Sequence, residues 1–146
     1  MRVCQIPVPH LLATGALETG PAADGYFGVG WHSAEDAGTQ HFRWSRRTSS
    51  MRWRMDSPTA MRFILPLRAA NADGATLRAS LNGLEVGTCT LPKATWTECR
   101  ISIDSGSTRS GINELTLTSD TTAAGREGDP RELAFEMQAG RVRVGK

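Results

Sequence analysis

The hydrophobic and polar residues of this 146-residue chain alternate with a period of two over many short segments. Residues 76–82 place Leu77, Ala79 and Leu81 on one face, and residues 113–118 alternate in the same way. Such alternation predicts half-buried β-strands. No stretch of a dozen residues keeps the apolar spacing of a helix, and only residues 9–17 predict a helical turn. The pattern therefore predicts an all-β chain.

Turn signals separate the predicted strands. Asn82-Gly83 predicts a tight hairpin, because both residues tolerate positive φ. Pro66 lies in an apolar segment at residues 60–67 and predicts an edge strand or a bulge, since proline donates no backbone hydrogen bond. Residues 132–144 are expected to close the chain as one long strand or two short ones.

Eight or more short strands without crossover helices predict an antiparallel two-sheet β-sandwich of the jelly-roll type. We expect residues 1–23 to be an N-terminal lead-in and residues 24–146 to form one sandwich domain, large enough to bury a core without staples. The inward strand positions form the predicted core: Phe63, Leu65, Leu77, Leu81, Val86, Ile101, Ile103, Leu115, Leu117, Phe135 and Val142.

Charge and hydropathy narrow the range of partners. The formal net charge is only +2, and the arginines are scattered along the sequence except for Arg46-Arg47, whereas a nucleic-acid reader clusters them. We therefore expect no nucleic-acid partner. No apolar run approaches the roughly 20 residues of a transmembrane helix, so no membrane insertion is expected. The first residues show no signal-peptide pattern.

The three cysteines lack the paired spacing of a zinc site. Cys89 and Cys99 flank the turn at residues 92–95 and are placed to face each other across a hairpin. The favoured interpretation is that they are two small buried residues without a bond, and a disulfide is the alternative.

Residues 28–45 concentrate large and charged side chains where strands end and loops begin. This segment contains Trp31, His32, His41, Arg43 and Trp44. A core strand would spread such residues in strict alternation, so their concentration predicts a contact surface.

The order of motifs along the chain carries a resemblance. The resemblance covers about residues 24 to 144. The motifs that carry it are, in chain order, residues 26–31, 42–45, 61–67, 77–83, Trp96, residues 111–117 and residues 128–135. In this order the chain resembles the galactose-binding-domain-like β-sandwich modules that accompany bacterial glycosyltransferases and other sugar-handling enzymes.

That resemblance implies a jelly-roll accessory module, often non-catalytic, whose partner is a glycan or a neighbouring protein domain. Sequences of this group have a glycine-tryptophan segment followed by an acidic residue and an arginine-tryptophan pair. The corresponding residues here are Gly30-Trp31, Glu35 and Arg43-Trp44. The resemblance also matches Asp129 and Arg131 to a late Asp-x-Arg element. Modules of this kind commonly carry an aromatic residue where His32 stands, so the chain departs from the pattern there.

Sugars are bound by aromatic faces and by planar polar groups that satisfy hydroxyls in pairs. The predicted ligand-binding residues are Trp31, His32, Glu35, Arg43 and Trp44. Alternatively, Trp44 and Arg43 lie in the core, with Arg43 paired to Asp129 or Glu35. Asp129 and Arg131 are interpreted as a structural clamp, with ligand contact as the alternative.

Two other functions stay open at this point. One is a structural or oligomerisation domain that packs against a partner protein, and the other is a small hydrolase using His32 or His41. No nucleophile elbow or phosphate-binding loop is present, so no catalytic residue is predicted. Glu35 and Asp36 with the two histidines match no helix-borne zinc pattern. No cofactor is predicted, and a structural calcium ion bound by loop carbonyls and Asp is the alternative.

Overall fold

The computed structural model describes residues 8–9, 15–17, 19–37, 40–125 and 131–145, without the side chains of residues 16, 21–23 and 37. Its elements are thirteen strands and a 3-10 helix at Pro21–Tyr26. The strands are β1 Gly15–Leu17, β2 Glu35–Ala37, β3 Gln40–Trp44, β4 Thr48–Met55, β5 Met61–Ala69, β6 Ala75–Leu81, β7 Leu84–Leu91, β8 Thr97–Ile103, β9 Gly111–Ser119, β10 Ala123–Ala124, β11 Glu132–Leu133, β12 Phe135–Gln138 and β13 Gly140–Val144. No helix in these ranges is long and apolar enough to cross a membrane.

Two antiparallel sheets form the sandwich, which confirms the predicted fold class. The first sheet has the order β1-β13-β5-β12-β3-β2, and β8 pairs with the other edge of β5. The second sheet has the order β4-β9-β6-β7, and β10 and β11 form a separate ribbon. Because β1 pairs with β13, the first sheet includes residues on the N-terminal side of the boundary predicted at residue 24.

The core lies between the two sheets, where alternate residues of each strand point inward. Trp53 of β4 and Phe63 of β5 meet there with ring centres 5.2 Å apart, and both are 1% exposed. Every residue of the predicted core is buried except Val86, which is half-buried and packs against it. The period-two pattern therefore identified the inward faces correctly.

The Asn82-Gly83 hairpin is confirmed. It joins β6 to β7, with φ of 50° at Asn82 and 90° at Gly83. Both angles lie in the left-handed region that a type I′ turn requires.

Three local predictions are corrected. Gly15–Leu17, expected to be helical, form β1, because the sheet edge at β13 supplies backbone partners that a short isolated helix lacks. Pro66 lies in β5, which has partner strands on both sides, so the edge alternative is wrong; the bulge alternative agrees with the register, since residues 138–140 between β12 and β13 face only residues 65–66. The last segment forms three strands, since the single residues 134 and 139 interrupt the strand pattern between β11, β12 and β13.

Cys89 and Cys99 form a disulfide, so the favoured interpretation of two unlinked residues is wrong. The two Cα atoms are 5.8 Å apart. Cys89 lies on β7, the edge of the second sheet, and Cys99 lies on β8, which pairs with β5 of the first sheet. The bond therefore links the two sheets rather than two paired strands of one hairpin.

Candidate functional site

An open cleft of about 720 Å³ lies on the outer face of the first sheet. Its floor follows from strand register: Trp44 of β3 pairs with Glu136 of β12, and Glu136 pairs with Arg68 of β5. The neighbours Phe135 and Met137 point into the core and are fully buried. Because adjacent residues of a strand face opposite ways, Trp44, Glu136 and Arg68 form one row across three strands on the outer face.

Arg68 and Glu136 form an ion pair at the centre of this row. The Glu136 residue is only 2% exposed, and such burial is unfavourable for a carboxylate unless a cation is paired with it. The guanidinium carbon of Arg68 lies 5.1 Å from the ring centre of Trp96, which precedes β8 and is 39% exposed. The central ion pair is thus flanked by an indole at each end, Trp44 on one side and Trp96 on the other.

A second ion pair lies at the rim of the cleft. Arg131 contacts Glu35 through Nη1 and Oε2 at 3.2 Å and through Nη2 and Oε1 at 3.4 Å. Glu35 is the register partner of Phe42, which also lines the cleft. The cleft therefore combines two apolar aromatic surfaces with three carboxylates, the third being Asp36, and two guanidinium groups. The remaining lining residues are Ala69, Ala70, Ala94, Ala124, Gly125 and Leu133.

The structure separates the residues predicted from residues 28–45 into two places. Glu35 and Trp44 line the cleft, together with Arg131. Trp31, His32 and Arg43 line a different and shallower pocket of about 310 Å³. The division falls between Arg43 and Trp44 on β3, since consecutive strand residues point to opposite faces.

Arg43 is 4% exposed, and its side chain is engaged by the chain itself. Its Nε donates to the Thr19 carbonyl at 2.9 Å and its Nη2 to the Gly20 carbonyl at 2.9 Å. The same Nη2 forms an ion pair with Asp24, and the guanidinium carbon lies 4.2 Å from the centre of the Phe27 ring. Arg43 thereby attaches residues 19–27 to β3, and its carboxylate partner is Asp24 rather than Glu35.

Trp31 is held by polar and aromatic contacts. Its indole N–H donates to the Ser50 carbonyl at 2.8 Å, and its ring meets Phe27 and Phe135 edge-on at 5.0 and 5.6 Å. The preceding Gly30 has φ of +85°, and a Cβ there would lie 1.9 Å from the Thr48 carbonyl oxygen. Only glycine fits at that position, so the backbone before Trp31 is fixed.

His32 and His41 occupy different environments. The His32 backbone N–H donates to the Trp44 carbonyl at 2.9 Å, while its Nε2 is buried with no hydrogen-bond partner among the described residues. His41 Nδ1 lies 2.5 Å from Asp36 Oδ1 across the β2–β3 pair. The hydrogen bonds of the described residues connect neither histidine to a serine or cysteine side chain.

Within the described ranges, no three His, Cys, Asp or Glu side chains lie close enough together to hold a metal ion. A structural calcium ion bound by loop carbonyls and Asp stays a prediction. Asp129 lies outside the described residues, so its predicted role in a clamp with Arg131 stays a prediction as well.

Sequence reasoning missed Arg68, Glu136, Phe42 and Trp96 as site residues. The sequence does indicate Glu136, because it is the one charged residue between Leu133 and Met137 in an otherwise apolar run. A carboxylate in such a strand is usually paired or functional. The sequence does not distinguish Arg68 from the other outward-facing arginines, which are common along these strands.

Comparisons with known proteins agree on the fold. No protein-family model matches the chain, and no curated protein matches its sequence. Among solved structures, it is similar to CsCBM6-3 from Clostridium stercorarium in complex with cellobiose, with a TM-score of 0.54, 12% identity, and 94% of this chain and 97% of that chain covered. The chain is also similar to the CBM35 from Cellvibrio japonicus Abf62, with a TM-score of 0.53 and 18% identity. This match covers 90% of this chain and 95% of that chain.

A third similar structure contains two modules, CBM22-1 and GH10, of endo-1,4-β-D-xylanase 10B from Clostridium thermocellum, complexed with xylohexaose. The TM-score is 0.59 with 12% identity, and the match covers 95% of this chain and 29% of that one. These likenesses confirm, at the level of the fold, the predicted resemblance to galactose-binding-like β-sandwich modules. The chain has the β-sandwich fold of carbohydrate-binding modules.

Proposed function

We propose that this chain is a non-catalytic module that binds a glycan in the outer cleft. The observation that carries the proposal is the row of Trp44, Glu136 and Arg68 across β3, β12 and β5, continued by Trp96. The fold shared with carbohydrate-binding modules supports the proposal but does not by itself identify a ligand.

The chemistry of the row suits a sugar chain. An indole face covers the apolar C–H side of a pyranose ring, and Trp44 and Phe42 offer such surfaces in the cleft. Guanidinium and carboxylate groups hydrogen-bond hydroxyls more strongly than neutral groups do. The Arg68–Glu136 pair fixes both planar groups before a ligand arrives, which lowers the entropy lost on binding.

Of the five ligand-binding residues predicted from the sequence, Glu35 and Trp44 belong to this proposed site. Trp31, His32 and Arg43 line the shallower pocket, and a contact between them and a ligand stays a prediction. Both glutamates of the cleft are engaged by arginines, Glu35 by Arg131 and Glu136 by Arg68. That arrangement favours binding over hydrolysis, which needs one carboxylic acid able to donate a proton.

The similar structures suggest the first ligands to test. CsCBM6-3 was solved with cellobiose and the xylanase modules with xylohexaose, so β-1,4-linked glucan and xylan oligosaccharides are suitable probes. In that xylanase the module accompanies a GH10 module. We propose by analogy that the partner of this chain, besides its glycan, is a neighbouring domain of a sugar-handling enzyme.

Isothermal titration with cellohexaose, xylohexaose and a panel of soluble plant polysaccharides tests the proposal. We expect at least one of them to bind, and Trp44→Ala to weaken its binding about tenfold or more, since stacking loss is large at aromatic anchors. The melting temperature of Trp44→Ala should stay near that of the wild type, because the side chain is on the outer face.

Trp31→Ala is the matched control, because it removes the same side chain from the other pocket. Unchanged binding by Trp44→Ala, or binding lost in a folded Trp31→Ala variant, contradicts the cleft as the site. Release of reducing sugar by the purified chain would favour the hydrolase alternative. No binding to any glycan, combined with self-association in sedimentation, would favour the oligomerisation alternative.

A further inference from the structure

A strip of arginines continues the outer face of the first sheet beyond the cleft. It consists of Arg62 on β5, Arg100 on β8, and Arg141 and Arg143 on β13, and we call it the arginine strip. Register places Ile64 between Arg141 and Arg100, and it places Arg62 directly beside Arg143. All four arginines are exposed. Three strands that are distant in sequence thus bring their positive charges to one surface.

The strip is only partly neutralised by the protein. Glu98 accepts hydrogen bonds from Arg100 at 2.7 Å and from Arg141 at 3.4 Å. The hydrogen bond from Arg100, with the charges of Arg100 and Arg141, lowers the pKa of Glu98. Arg62 Nε donates to the Ser102 hydroxyl at 3.3 Å. Arg143 has no side-chain hydrogen bond or ion pair among the described residues, so the strip keeps an excess of positive charge.

Folding alone does not favour this arrangement. Arg62 and Arg143 are direct cross-strand partners, and like charges at such positions destabilise a sheet. The chain as a whole has a formal net charge of only +2, so the strip is not a consequence of a generally basic protein. A locally unfavourable feature on an outer face is typical of a binding surface.

The strip and the cleft share one strand. Arg68 in the floor of the cleft and Arg62 in the strip are both outward residues of β5, six residues apart, which is about 20 Å along a strand. Between them lie the outward positions Pro66 and Ile64, which carry no charge. A polysaccharide that extended from the cleft along β5 would therefore reach the strip.

We propose that the arginine strip makes this face selective for polysaccharides that carry carboxylate groups, that is, chains containing uronic acids. This inference rests on the proposed function and specifies its substrate class. A guanidinium group presents paired N–H donors that match the two oxygens of a carboxylate, and Arg62 and Arg143 are the groups with the most capacity left for such contacts.

Affinity electrophoresis and isothermal titration with polygalacturonate test the inference. Its methyl-esterified form is the matched ligand, because the backbone is the same and the charge is removed. We expect the wild type to bind polygalacturonate at least about tenfold more tightly than the ester at low salt. The difference should shrink as sodium chloride is raised, since salt screens exposed charges.

Three variants locate the effect. Arg62→Gln/Arg143→Gln should weaken polygalacturonate binding about tenfold and leave binding of a neutral cleft ligand unchanged. Its melting temperature should not fall, since the variant removes a like-charge pair. Glu98→Gln should strengthen polygalacturonate binding, because Arg100 and Arg141 lose their internal partner. Arg54→Gln/Arg78→Gln removes the same charge from exposed positions of the second sheet and should change nothing.

Several outcomes overturn the inference. Equal binding of polygalacturonate and its ester shows that carboxylates are not recognised, and an equal loss in Arg54→Gln/Arg78→Gln shows an effect of net charge alone. Tighter binding of a single-stranded DNA oligonucleotide than of polygalacturonate makes the strip a nucleic-acid surface. If neutral glycans bind but polygalacturonate does not, only this inference fails. If no glycan of either kind binds, the proposed function fails with it.

Discussion

Arg68 and Glu136 are direct cross-strand partners on β5 and β12, and their ion pair lies in the floor of the cleft. The Glu136 side chain is 3% exposed, whereas that of Arg68 is 36% exposed. The buried carboxylate therefore fixes the position of an arginine that solvent and a ligand can reach. The pair is at once a structural contact and part of the proposed binding surface.

Replacing one partner of this pair is expected to lower the free energy of unfolding more than replacing both. Arg68→Met should lower the free energy of unfolding by about 3 kcal/mol, because Glu136 stays buried without its arginine. The double variant Arg68→Met/Glu136→Met should recover most of that loss, since no charge is then left in the floor. Urea denaturation of both variants measures the difference. A loss under about 0.5 kcal/mol in Arg68→Met would show that the pair contributes little.

Arg43→Ala is expected to lower the free energy of unfolding by about 3–5 kcal/mol, because Asp24 and the carbonyls of Thr19 and Gly20 lose their buried donor. Arg47→Ala, at an exposed position nearby, is the control and should stay within about 0.5 kcal/mol. Chemical denaturation compares the two. Wild-type stability of Arg43→Ala together with weaker glycan binding would instead make Arg43 a ligand contact.

Gly83→Val is expected to lower the free energy of unfolding by about 1–3 kcal/mol, because valine is strained at φ of 90°. Gly87→Val on β7 is the matched control. A Cβ at either glycine would have no atom within 4 Å, so the two sites differ in backbone angle and not in space. Thermal and urea unfolding should show a loss for Gly83→Val only. Equal effects of both substitutions would contradict the turn geometry as the cause.

Reduction of the Cys89–Cys99 disulfide is expected to lower the free energy of unfolding by about 2–3 kcal/mol, since the bond closes a loop with a sequence separation of 10 residues. Denaturation with and without dithiothreitol measures this difference. The double variant Cys89→Ser/Cys99→Ser is the control, and its stability should not respond to the reductant. If the denaturation curve of the wild type is also unchanged by dithiothreitol, the disulfide does not stabilise the protein.

The sequence by itself determined the features that depend only on residues close to each other along the chain. Alternation identified the inward faces, because the side-chain period of a strand is set by its backbone. Asn82-Gly83 defined a hairpin, because a type I′ turn needs two residues that tolerate positive φ. The cluster in residues 28–45 contains Glu35 and Trp44, which the structure places in the cleft, and their contact with a ligand stays a prediction.

Only the tertiary structure decided which distant residues share a surface. Trp44, Arg68 and Glu136 meet because β12 lies between β3 and β5, and strand order depends on long-range pairing that no local pattern encodes. For the same reason Pro66 lies in a central strand, and Cys89 and Cys99 connect two sheets. Arg43 and Trp44 are adjacent in sequence but face opposite sides of β3. One is therefore engaged in the interior while the other lines the cleft.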